Sequence, residues 1–342
     1  MLHTLIVAAL VATPSPSPSP SPTPAYALHG AFSLYTERTS NSVAPVSQTD
    51  LSNALLTLSK TTGQLQGSVT VGAYAFPVVG QSIVATTQQG ANTSLYGYVP
   101  AYDLAYVPNG NVTISAGQLA TVIGQENGFT FQNFNIERGL VWAAEPAFSR
   151  GVRVAYANGK ISGDLEYNDG YYSANAGRAV EGLAGWAPSA TTDWLFAFII
   201  PGANTPPNVT TTVANKREFD FMLTQQFGKL ELEPYVLYIQ SPASAALGYS
   251  NTESALGIVA LANYAFNNVY SLGGRFESFA NHSSAADASP NADLVGYGPG
   301  SSAASWTITP EYHPGPLFLR AEYSYVTFIN QSRFLAELGV QF

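Results

Sequence analysis

RFLAELGVQF, residues 333–342, is the stretch that decides the fold. Phe334, Ala336, Leu338, Val340 and Phe342 fall on one face of a strand, and Arg333, Leu335, Glu337, Gly339 and Gln341 fall on the other. Side chains alternate across a strand, so this pattern fits a sheet with an apolar medium on one side and water on the other.

The composition extends that reading. Hydrophobic residues make up 46% of the 342-residue chain but charged residues only 10%, well below the roughly 25% of an average soluble domain. There are 20 Tyr, 18 Phe and 30 Gly. A soluble sandwich or propeller would also bury an apolar face, but it would carry more surface charge. With no Cys in the chain, disulfides and thiolate metal sites are excluded. A net charge of −9 argues against a nucleic-acid partner.

Three segments are expected. Residues 1–13 hold a short apolar run, Leu2 to Ala12, that reads as an export signal; the A-x-A pattern Ala25-Tyr26-Ala27 allows cleavage as late as residue 27. Residues 14–24 are a nearly pure Ser-Pro repeat, an extended spacer. Residues 26–342 alternate throughout and carry turn signals at short intervals.

That alternation predicts sixteen strands: 26–35, 51–59, 64–75, 95–107, 112–119, 148–157, 160–168, 179–186, 194–200, 217–226, 229–239, 253–264, 269–279, 303–312, 317–326 and the terminal segment. Asn158-Gly159 is a favoured two-residue hairpin pair. Connections after even-numbered strands are short. Those after odd-numbered strands are mostly longer: 37–50, 76–94, 120–147, 169–178, 201–216, 240–252, 280–302 and 327–332. An even strand count with short turns on one side and long loops on the other predicts an all-β transmembrane antiparallel up-and-down β-barrel, with both termini in the periplasm. Gly72, Gly273 and Gly274 within strands are expected to mark bends.

Charged residues distinguish the faces. Asp103, Arg153, Asp164, Glu166, Glu181, Glu218, Asp220, Glu231, Glu233, Arg275, Glu277, Glu311, Arg320, Glu322 and Glu337 all fall on the less apolar face of their strands. Arg or Lys facing lipid at the midplane costs about 2–4 kcal/mol, so this face is expected to line a water-filled lumen. Glu253 and Arg333 join the same set. The opposite face carries Tyr98, Tyr102, Tyr106, Tyr156, Tyr167, Trp186, Trp306, Tyr312 and Tyr323, several of them near strand ends, where interfacial girdles form. Strands nine and twelve are apolar on both faces.

The terminal strand with its final Phe resembles the C-terminal signature of bacterial outer-membrane barrels. A second stretch resembles one family of them. Gly117-Gln118-Leu119, Ile123-Gly124-Gln125-Glu126, Asn133-Phe134-Asn135, Glu137-Arg138-Gly139, Pro146, Gly151-Val152 and Tyr167-Asn168-Asp169-Gly170-Tyr171 are similar to the OmpL-like β-barrel porin family. The resemblance implies an outer-membrane channel embedded in lipid and delivered to the barrel-assembly machinery by its C-terminal strand. It also implies a third loop able to narrow the lumen, and a homotrimer by analogy with porins of this strand number. The loop is 120–147, with charges Glu126, Glu137, Arg138 and Glu145. No arginine cluster facing an acidic loop is evident, so a strongly charged eyelet is not expected.

The expected function is passive diffusion of small hydrophilic solutes and ions, with a weak cation preference from the acidic lumen. One alternative is a substrate-specific channel, for example for sugars, with Tyr74 and Tyr235 as a stacking track. Another is a plugged structural or adhesive barrel. Enzymatic activity and a cofactor are not expected: none of His3, His29, His282 and His313 lies in a recognisable Ser or Asp pattern.

Overall fold

The computed structural model describes residues 26–40, 46–87, 96–170, 178–202, 213 and 215–342. The signal-like segment and the Ser-Pro run lie outside the described residues.

Sixteen strands follow in order: β1 (Ala27–Ser40), β2 (Val46–Lys60), β3 (Leu65–Tyr74), β4 (Ala101–Asn109), β5 (Val112–Ala120), β6 (Phe148–Asn158), β7 (Ile161–Asn168), β8 (Ala179–Ser189), β9 (Thr192–Pro201), β10 (Arg217–Phe227), β11 (Leu230–Ser241), β12 (Glu253–Ala265), β13 (Tyr270–Asn281), β14 (Ser302–Tyr312), β15 (Leu317–Val326) and β16 (Gln331–Gln341). Each pairs antiparallel with its sequence neighbours, and β1 pairs with β16 from Ala31↔Gln341 to Ser40↔Ser332, closing the barrel. Closure leaves no unpaired edge, which a sheet in hydrocarbon requires. The decisive C-terminal stretch is thus the closing strand, and Gly30 and Phe342 exchange both backbone hydrogen bonds at its end.

Turn chemistry sets one end of the barrel. At Asn158-Gly159 the glycine takes φ +61°, as a tight hairpin needs. Asn109 Oδ1 accepts the Asn111 and Val112 amides in the preceding hairpin. Two expectations change. Strand four begins at Ala101 rather than 95, because Gly97 sits at φ +68° and Pro100 carries no amide for the ladder. Much of 37–50 is ladder, since β1 continues to Ser40 and β2 starts at Val46. Both strands there alternate Thr, Ser and Gln, which pair as readily as apolar residues where one face meets water.

The outer surface is apolar. Phe32, Leu34, Leu56, Leu104, Val154, Leu165, Phe196, Phe221, Ile258, Phe276, Trp306, Leu319, Phe334 and Leu338 are all exposed. No described helix is long and apolar enough to cross a membrane.

The interior is filled to an extent that a sixteen-stranded wall alone would not produce. One buried cluster joins the inward faces of β9 to β14 to chain inside the barrel: Leu195, Ile199, Met222, Leu237, Ile239, Val259, Leu261 and Phe279 on the wall with Val79, Val122, Ile123, Leu140, Val141 and Ala144 in loops. Strands nine and twelve are apolar on both faces for this reason: the outer face is exposed and the inner face meets a loop.

Candidate constriction of the lumen

The inserted chain is chiefly residues 121–147, between the adjacent strands β5 and β6. Its neck is closed where the Thr121 amide donates to Ala147 O at 3.0 Å. It contains two short 3-10 turns, Thr130–Gln132 and Trp142–Ala144. A segment of chain bent this tightly leaves amides unpaired, and each buried one must find an acceptor.

Wall carboxylates supply the acceptors. Glu181 on β8 accepts the Val122 amide and the Thr121 hydroxyl, both at 2.7 Å. Asp220 on β10 accepts the Gly124 amide at 2.7 Å. Glu277 on β13 accepts the Leu140 and Val141 amides at 3.0 and 3.1 Å. Glu322 on β15 accepts the Ile136 and Glu137 amides at 2.5 and 2.9 Å. Glu337 on β16 accepts the hydroxyls of Thr130 and Ser33 at 2.7 and 2.8 Å.

Three arginines complete the grip. Arg275 Nη1 lies 2.6 Å from Glu126 Oε1 and also donates to Glu137 O at 2.5 Å. Arg320 pairs with Glu337 and donates to Thr130 O and Asn133 O, both at 3.1 Å. Arg333 pairs with Glu137 and lies 3.3 Å from Glu37. An arginine cluster therefore does face an acidic loop, contrary to the sequence-based expectation. The registers Arg320↔Glu337 and Ser324↔Arg333 gather these residues from separate strands. All three are buried, so their charges are spent holding the loop.

Close approach is built into glycines. A Cβ on Gly257 of β12 would strike the Val141 side chain, and one on Gly139 would strike the Glu277 carboxylate. A Cβ on Gly273 would meet Phe134 O at 2.3 Å from an ideal position, a clash, so this glycine admits loop backbone rather than marking a bend.

Arg138 is the centre of the loop. It is wholly buried, with its guanidinium 5.4 Å from the rings of both Phe76 and Trp142. It donates to Gly128 O at 2.6 Å and to Ile136 O and Ala75 O at 3.2 Å. Burial pulls its pKa down to about 9, against the opposing pull of Glu126 and Glu337. Its backbone pairs with a second inserted segment: the Arg138 amide donates to Pro77 O and the Val79 amide to Arg138 O, both at 2.9 Å. Sequence reasoning missed that segment. The apolar run Phe76-Pro77-Val78-Val79 directly after a strand was the available signal.

The strand residues expected to line the lumen divide into two groups. Glu166, Glu181, Glu218, Asp220, Arg275, Glu277, Arg320, Glu322 and Glu337 are buried. Arg153 is half-buried and pairs with Glu166 at 2.5 Å. Asp103, Asp164, Glu231, Glu233 and Glu311 are half-buried; Asp103 stands near the loop end of β4, and the other four lie toward the hairpin-turn end. Asp193 joins them; it was missed because β9 was expected to begin at Trp194 and begins at Thr192. Of the loop charges, Glu126, Glu137, Arg138 and Glu145 are all buried inside the barrel. Tyr74 and Tyr235, the expected stacking track, are buried too: Tyr74 packs on Phe76 and Phe129, and Tyr235 lies in the wall–loop cluster. Among the described residues no group of His, Asp or Glu side chains could hold a metal ion.

A family model described as "Putative beta-barrel porin-2, OmpL-like" matches residues 31–342. No curated protein sequence is significantly similar to this chain. Among solved structures, an anion-selective porin from Comamonas acidovorans superposes with a TM-score of 0.61 at 11% identity, covering 93% of this chain and 99% of that one. The outer-membrane protein OmpT of Vibrio cholerae, in its in-vitro-folded trimer form, superposes with a TM-score of 0.60 at 11% identity over 93% and 99%. At these identities the likeness is one of fold.

Proposed function

The chain belongs to the OmpL-like β-barrel porin family of outer-membrane channels, and on that premise we propose a passive, weakly cation-preferring pore for small hydrophilic solutes and ions. The observation that carries the preference is the set of half-buried carboxylates at the turn end: Asp164, Asp193, Glu231, Glu233 and Glu311. Glu181, Asp220, Glu277, Glu322 and Glu337 are engaged by the loop, so they contribute little to the field in the water path. The turn-end acids face the periplasmic mouth, where a negative field raises local cation concentration and repels anions. Barrel lipid contact, delivery through the C-terminal strand and a homotrimer belong to the same reading.

The reversal potential across a KCl gradient tests it. Potassium preference that weakens in Glu231→Gln/Glu233→Gln supports the assignment, and chloride preference sinks it. A second reading, a plugged structural barrel, is favoured by the packing of the loop on both sides. Absence of any conductance from the correctly folded, heat-modifiable protein would select it. The burial of Tyr74 and Tyr235 removes the basis for an aromatic sugar track.

A further inference from the structure

Glu145, at the base of the inserted loop and directly before Pro146, is fully buried. Its carboxylate occupies the space that a Cβ on Gly124 would need. Asp220 reaches the same glycine from β10 by accepting its amide at 2.7 Å. Glu218, two residues earlier on the same inward face, is also fully buried. Lys216 is the cation that serves this corner: its Nζ lies 3.1 Å from Glu218 Oε1 and donates to Ala144 O. From β11, the Tyr235 ring approaches Glu145, and Glu126 faces it from within the loop. Glu126 has a separate partner in Arg275. Glu145, Glu218 and Asp220 thus crowd one water-poor niche, where the ionised forms raise one another's cost.

We propose that Glu145 is a proton-operated latch: protonated, it seats the base of the loop against β10, and loss of its proton to bulk base drives the loop off that wall and widens the lumen. Burial pushes the Glu145 carboxyl well above the ordinary carboxylate range, and Asp220, Glu218 and Glu126 push it the same way. The sign follows from linkage. The seated state binds a proton that the released state gives up, so seating is strongest in acid and weakens as pH rises toward the raised seated-state value. Once pH exceeds the ordinary carboxylate range, the seated-to-released ratio falls about tenfold per pH unit until Glu145 ionises in place. The conductance readout rests on the channel reading above; the loop readout does not.

The test uses the full chain refolded in bilayers and followed from about pH 6 to about pH 10. Single-channel conductance is recorded, together with the mobility of a spin label on Gln132→Cys, a half-buried loop position in a protein with no native Cys. The expected result is conductance and label mobility that rise together with pH, are flat and low in Glu145→Gln, and rise at higher pH in Asp220→Asn. A label that loosens only with Glu145 intact, in a protein that never conducts, would retain the latch while the channel reading fails. A label equally rigid at every pH, or a rise unchanged in Glu145→Gln, would overturn the latch.

Discussion

The two walls that hold the loop do so by different physics. On the β9–β12 side, Ile123, Leu140, Val141 and Ala144 pack into an apolar surface of Ile199, Met222, Leu237 and Val259. On the β13–β16 side the same loop meets Arg275, Glu277, Arg320, Glu322, Arg333 and Glu337 through ion pairs and amide–carboxylate bonds. Apolar packing is non-directional and yields gradually when a methyl group is lost. A buried ion pair is directional, contributes little net stability when whole, and becomes strongly destabilising when one partner is removed. The ionic wall therefore fixes where the loop sits, and the apolar wall supplies most of the net attraction.

Breaking the ionic wall on one side only should have the largest effect. Arg320→Met leaves Glu337 buried and uncompensated, at a cost of about 3–5 kcal/mol. Urea titration of the folded protein should show the loss, with higher single-channel conductance as the loop loosens. Adding Glu337→Leu should restore a large part of the stability, since neither charge then remains. No recovery in the double variant would show that the pair itself attracts the loop.

Overfilling the apolar wall should come next. Gly257→Val pushes side-chain atoms into Val141 and should cost about 1–3 kcal/mol, with the loop displaced toward the ionic wall. Removing atoms should cost less: Val141→Ala loses about 1.5 kcal/mol of burial, read from the same titration. The smallest effect is that of salt. Raising ionic strength should weaken the cation preference of the half-exposed turn-end acids while leaving loop seating unchanged, because buried pairs are screened much less. A loop released by salt would mean that its ion pairs are wet.

Much of the barrel was legible because a strand in a membrane wall must obey two constraints at once. The alternation in 317–326 and 333–342 and the hairpin signals at Asn158-Gly159 and Asn109 located strands and turns to within a residue or two. Inward charge was legible for the same reason, since Asp164 and Glu166 or Arg320 and Glu322 cannot face lipid. What those charges touch was not legible. Glu277 and the Leu140 amide are 137 positions apart, and only barrel closure and the loop's path bring them together. The clue was present in the inward apolar residues of β9 and β12, which a water-filled lumen would not favour. Read as a binding surface for chain inside the barrel, they point to the inserted loop.

The most direct test is the single-channel conductance of the refolded full chain against a variant in which residues 125–143 are replaced by a short Gly-Ser bridge. If the loop held between the two walls sets the width of the lumen, the variant remains a heat-modifiable barrel and conducts several-fold more, by about the gain expected of an emptied sixteen-strand lumen. Unchanged conductance in a folded variant would contradict it.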